Sequence, residues 1–277
     1  MLIKLKQNVV ILFTVPIVLL MAACSGIGVL NSEIYSRETD HWLIECIGQD
    51  LTNLIIIIPI LIVSALFAVK GSKIAKIIWA GTMIANIYSY AIYCFAVHFN
   101  VLFHFYCIIL GLSLYSIIYF AIVNFNENFN EWYSESTHTK PIGFLLIAIA
   151  VLFYFLWLSQ SLPASLTNRV PQSILKDGLF TNPVYVLDYS FILPLLVFSA
   201  VGILKKRNSG YLLAPVMLVF GIVTISNIII LRTIFMIKLS ENNTSSIIVL
   251  TLLLVLCLSF LYLLLRNIRK ADGLKNI

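Results

Sequence analysis

The chain has 277 residues, of which 61% are hydrophobic and 11% charged, with a mean hydropathy of +1.01. Soluble chains are about 45–50% apolar and about 25% charged, so an ordinary water-soluble domain is excluded; the apolar share suits about eight membrane helices of about 20 residues each. The net charge of +6 does not point to nucleic acid, because the Lys and Arg residues sit in short segments between apolar runs.

Those runs cover, in chain order, residues 8–30, 51–69, 77–98, 101–123, 142–158, 188–204, 211–234 and 246–265. Each is close to the length that crosses a bilayer as a helix. The runs are continuous, whereas barrel strands alternate apolar and polar residues. The predicted fold is therefore all-α, a polytopic transmembrane bundle of about eight spans.

Orientation follows from the basic residues. With the N-terminus in the cytoplasm, the inner segments hold Lys4, Lys6, Lys70, Lys73, Lys76, Lys140, Lys205, Lys206, Arg207, Arg266, Arg269, Lys270 and Lys275. The outer loops hold Arg37, Arg169, Lys176 and Lys238, while Arg232 lies inside a span. This places a multi-pass protein in the cell membrane with both termini cytoplasmic. A competing reading takes Lys4, Lys6, the first apolar run and Met21-Ala22-Ala23-Cys24 as a cleaved signal. The run continues through Gly26, Gly28 and Leu30, which favours a retained helix. Of the five cysteines, Cys94, Cys107 and Cys257 fall in spans, Cys24 lies near the end of one, and Cys46 lies in an outer loop. Buried free thiols are the expected state, with Cys24–Cys46 as the alternative bridge.

The second and sixth runs resemble each other. Pro59, Leu61, Ser64, Ala65 and Lys70 recur as Pro194, Leu196, Ser199, Ala200 and Lys205, a shift of 135 residues. The same shift carries the first run onto the fifth and the third onto the seventh; the fourth needs an insertion to reach the eighth. The expectation is a parallel four-plus-four duplication, residues 1–140 and 141–277, about an axis along the membrane normal. The pattern Gln49-Asp50-Leu51…Leu54…Pro59, Trp79-Ala80-Gly81, Tyr88-x-Tyr90-Ala91-x-Tyr93-x-Phe95…Phe99-Asn100-x-Leu102-Phe103-x-x-Tyr106 and Val186-Leu187-Asp188…Pro194-Leu195 resembles a family of multi-pass prokaryotic integral membrane proteins with no assigned activity. The resemblance runs over residues 45–235; it implies topology and no chemistry.

Polar side chains within spans are costly and mark candidate sites. Matching depths across the hairpins places Asn53, Tyr93, Asp188 and Asn227 in one layer of the outer leaflet. Asp50, His98, Asn100, His104 and Arg232 lie above it. The expected arrangement is an outward-facing polar cavity between the repeats, with Asp188–Arg232 as an intramembrane ion pair. The alternative is that these groups staple helices or reach the interface. Cys94, His98, His104 and Cys107 form a weak candidate metal set on one hairpin. The aromatic series from Tyr88 to Tyr106 reads as packing and interfacial belt. The loop at residues 159–187 carries turn signals, and the segment from Pro171 suits one or two helical turns. No nucleotide-binding, nucleophile-elbow or zinc-protease motif is present, and no cofactor is implied. The leading function is binding or transport of a small molecule by a bilayer protein. The alternatives are a membrane-embedded enzyme using His98, His104 and Asp188, and a structural or assembly partner.

Overall fold

The computed structural model describes residues 2–269; Lys270 and Lys275, counted above among the basic residues, lie outside them. Among the described residues, eight helices are long and apolar enough to cross a membrane. Span 1 is Leu2–Leu30. Span 2 is Asp40–Val69, span 3 Lys73–Ala96, span 4 Phe103–Val123 and span 5 Lys140–Leu166. Span 6 is Pro183–Leu204, span 7 Asn208–Leu239 and span 8 Thr244–Leu265. The described part is all-helical, apart from an isolated antiparallel bridge between Tyr133 and Ile268.

Spans 2 and 5 extend furthest beyond what hydropathy predicts. Span 2 begins at Asp40, where the Thr39 hydroxyl accepts the Trp42 N–H at 3.2 Å. Its first turns carry His41, Glu45, Gln49 and Asp50, which depress hydropathy, yet they pack against spans 1 and 7. Span 5 runs to Leu166, through Pro163. The predicted turns after Pro171 form a short helix, Gln172–Asp177, ended by Gly178 in the left-handed region at φ 70°.

Span 3 is the most deeply buried and span 8 the least. Span 3 packs on spans 2, 4 and 7, and span 7 also packs on spans 2, 6 and 8. At the crossing of spans 3 and 7, Gly81 lies against the Val216 carbonyl and the Val219 side chain, so an added methyl has no room. Span 4 closes onto span 1. Span 8 packs chiefly on span 7.

Spans 2 and 6 each contain one turn of π-helix, at Asn53–Ile57 and Asp188–Ile192. Ile58 N–H bonds back to the Asn53 carbonyl, and Leu193 N–H to the Asp188 carbonyl. In both, a proline stands two residues after the π turn, Pro59 or Pro194. A proline ring clashes with the carbonyl four residues earlier and removes one donor; widening the preceding turn relieves both. The serines after the prolines also behave alike. Ser64 Oγ donates to the Ile60 carbonyl and Ser199 Oγ to the Leu195 carbonyl, each at 2.6 Å.

At the end holding Lys73 and Lys205, the segment between spans 4 and 5 folds over the bundle. Trp132 Nε1 donates to Glu127 Oε1 at 2.9 Å, and the Lys73 and Lys76 ammonium groups lie 5.5 and 5.9 Å from Trp132 ring centroids. Asn208 Nδ2 donates to the Glu127 carbonyl, and Arg269 N–H to the Trp132 carbonyl. Trp132 therefore joins the turns before spans 3 and 7 to the end of span 8. At the opposite end, Glu38 receives both the backbone N–H and ring Nδ1 of His98, at 2.7 and 2.8 Å. His41 Nδ1 meets Asp177 Oδ1 at 2.5 Å, which holds the short helix against span 2.

Candidate functional site

The expected single layer of Asn53, Tyr93, Asp188 and Asn227 divides among three polar groups. The first surrounds Asp50, which is 2% exposed. Tyr35 OH donates to its Oδ2 at 2.7 Å and Tyr93 OH to its Oδ1 at 2.8 Å. Tyr106 OH lies 3.5 Å from Tyr35 OH, and the Tyr93 and Tyr106 rings are 4.9 Å apart. Gly28 makes the space: a methyl there would overlap the Asp50 carboxylate and the Tyr35 hydroxyl. Two phenols thus replace the water that a buried carboxylate loses.

The second group is a chain of amides and hydroxyls across spans 1, 2 and 7. Asn53 Nδ2 donates to Ser25 Oγ at 3.0 Å, and Gln49 Nε2 to Asn53 Oδ1 at 2.9 Å. Asn227 Nδ2 donates to Gln49 Oε1, and Thr52 Oγ1 to Asn227 Oδ1, both at 2.7 Å. Each amide gives and accepts within the chain. Asn53 is fully buried, so these residues act as a staple between helices.

The third group is Asp188, 7% exposed, at the start of the π turn of span 6. Trp157 Nε1 donates to its Oδ2 at 2.7 Å. Tyr88 of span 3 reaches the same carboxylate. Asp188 edges a cavity of about 80 Å³ that is otherwise lined mainly by apolar side chains of spans 5, 6 and 7, with Cys257 from span 8. Tyr88 of span 3 also lines the cavity, so both halves of the chain border it.

The expected Asp188–Arg232 ion pair is not formed. Asp188 takes the Trp157 indole, while the Arg232 guanidinium lies 5.8 Å from the Phe235 ring centroid, within electrostatic reach of Glu45 and Asp177. Matching depth along a hairpin fixes height and leaves azimuth free, and Arg232 turns toward span 2. Burial raises the Asp177 carboxyl above its ordinary range, and the neighbouring His41, Arg232 and Lys176 only partly offset this.

The remaining candidates have separate partners. His98 is bound by Glu38. His104 packs edge-on against Phe99 and Phe103. Asn100 Oδ1 caps the hairpin by accepting Leu102 N–H at 2.9 Å. The Cys94 and Cys107 sulfurs face each other at 4.0 Å. Among the described residues, no three His, Cys, Asp or Glu side chains are placed to share one metal ion, so the weak four-residue set is not assembled. Cys24 and Cys46 are buried, unbridged thiols. A larger cavity, about 150 Å³, lies at the basic end, but its Trp79 and Glu127 are already engaged by Thr14 and Trp132.

Sequence reasoning passed over Ser25, Tyr35, Thr52 and Trp157 as site residues. Tyr35 and Trp157 carried no usable signal, being one tyrosine in a loop and one tryptophan in an apolar run. Gln49 stood in the quoted pattern without a role, and its i,i+4 spacing to Asn53 was the available clue. Comparisons with protein-family models, with curated proteins and with solved structures found no match to this chain.

Proposed function

We propose that the protein binds a small amphiphile in the cleft at Asp188, an alkyl chain ending in a protonated amine, which reaches it from the lipid between spans 5 and 8. The observation that carries this reading is Asp188 itself. It is an intramembrane carboxylate that forms no salt bridge among the described residues, on a π turn, at the edge of an apolar cavity. Intramembrane carboxylates are costly and mark ligand or ion sites; π turns cluster at such sites. An ammonium head supplies the charge complement. The cavity, about 80 Å³, is smaller than the roughly 150 Å³ that takes benzene, so it suits a chain and not a ring. The cavity is lined mainly by spans 5–7 and takes Tyr88 from span 3, so it borders both halves.

The parallel duplication is part of this proposal. Its supports are the two π turns in register, the matching serine bonds, and the way span 2 lies on span 7 while the start of span 6 lies on span 3. The cytoplasmic placement of the basic end and the location in the cell membrane rest on the Lys and Arg asymmetry, and kinship with the uncharacterised multi-pass family rests on the motif pattern alone. An enzyme built on His98, His104 and Asp188 is disfavoured, since each already has a different neighbour.

The test is thermal unfolding of the purified chain with dodecylammonium, dodecanol or dodecanoate below their micellar concentrations. The ammonium should raise Tm, and Asp188→Asn should remove the rise. Equal shifts from all three probes, or a rise that survives Asp188→Asn, would overturn the proposal.

A further inference from the structure

We propose that Cys94 and Cys107 are a dithiol pair that closes into a disulfide clasp across the hairpin of spans 3 and 4. Their sulfurs lie 4.0 Å apart on facing helices, next to the turn that joins them. A disulfide needs about 2.05 Å, and side-chain rotation on packed helices covers the difference. The register of the two helices is already fixed at this level. Tyr93 and Tyr106, the preceding residue in each helix, are in ring contact at 4.9 Å, and both belong to the Asp50–Tyr35 cluster. The pair also differs from the other thiols in access. Cys107 is exposed and Cys94 half-buried, whereas Cys24, Cys46 and Cys257 are buried. It sits at the end of the bundle away from the basic loops, within about one helical turn of the chain leaving span 3. The positive-inside rule assigns that end to the oxidising side.

The chemistry is thiol–disulfide exchange with a low-molecular-weight disulfide such as oxidised glutathione. The Cys107 thiolate attacks one glutathione sulfur, forming a mixed disulfide and releasing one glutathione thiolate. The Cys94 thiolate then attacks the Cys107 sulfur, forming the protein disulfide and releasing the second. Two electrons pass from the protein thiols to glutathione, and the two protons end on the two glutathione thiols. The bond would tie together the neighbours of Tyr93 and Tyr106 and so hold the cluster on Asp50. This inference stands apart from the amphiphile reading, since it concerns spans 3 and 4 only.

The full chain in proteoliposomes is treated with oxidised glutathione, alkylated with iodoacetamide without reductant, digested and mapped by mass. A linked peptide containing Cys94 and Cys107 is expected, with both sites alkylated only after reduction. Oxidation should also raise Tm of the wild-type chain and leave Cys94→Ser/Cys107→Ser unchanged. The proposal is overturned if both thiols are alkylated after oxidant treatment, if each carries its own glutathione, or if the double variant gains stability equally on oxidation.

Discussion

Trp157 gives its indole N–H to Asp188 at 2.7 Å, from span 5 to span 6 inside the membrane. That bond fixes the carboxylate at the edge of the cavity. It also explains how an acidic residue is tolerated there without a basic partner. A charge-assisted hydrogen bond contributes about 1.5–3 kcal/mol. We expect Trp157→Phe to lower unfolding stability by about that amount, and Asp188→Asn, which keeps an acceptor for the indole, to cost less. Equal losses in detergent unfolding would show that the bond is not what holds the carboxylate.

The Asp50 cluster should be sterically intolerant at one glycine and indifferent at its neighbour. Gly28→Ala would force a methyl into the Asp50 carboxylate and Tyr35 hydroxyl, whereas Gly26 has open space around it. Overpacking typically costs about 1–3 kcal/mol, so Gly28→Ala should unfold at clearly lower temperature than Gly26→Ala. Matching melting temperatures would contradict the close approach.

The amide chain should behave as one unit. Asn53 and Asn227 do not touch, but both bond Gln49. Double-mutant analysis of Asn53→Ala with Asn227→Ala should give a coupling of about 0.5–3 kcal/mol, and the same analysis in a Gln49→Ala background should give far less. Additive losses in the Gln49 background and in the wild type alike would mean that the chain is not a network.

The burial of Asp177 beside His41 gives a pH dependence with a definite sign. Burial raises the Asp177 carboxyl in the folded chain, so the folded state holds that proton to higher pH than the unfolded state does. Its contribution to stability is complete below the ordinary aspartate range and is lost as pH rises through the raised folded value. Asp177→Asn should flatten the stability profile in that acidic window. An unchanged profile would remove Asp177 as its source.

Much of the frame was legible in the sequence. Eight apolar runs, the helical turns after Pro171 and the shared Pro-Ser spacing of spans 2 and 6 all carry local signals that need no tertiary context. The start of span 2 was not legible, because Glu45 and Gln49 lower hydropathy while facing other helices. Hairpin geometry placed Asn53, Tyr93, Asp188 and Asn227 at comparable depth, but depth says nothing about which way a side chain turns. Hence Asn227 meets span 2, Asp188 meets Trp157, and Arg232 lies over Phe235. The fold of the segment holding Trp132 depends on three distant turns, so no window of sequence reveals it.

The amphiphile proposed here is an alkylammonium that enters the cleft at Asp188 from the lipid. Photo-crosslinking with an alkylammonium that bears a diazirine on its chain locates the occupant directly. Mass mapping should place adducts on Phe153, Ile228 or Cys257, which line the cavity, and Asp188→Asn should abolish them. Adducts spread evenly over the lipid-facing residues of all spans, or retained at full yield in Asp188→Asn, would contradict the account.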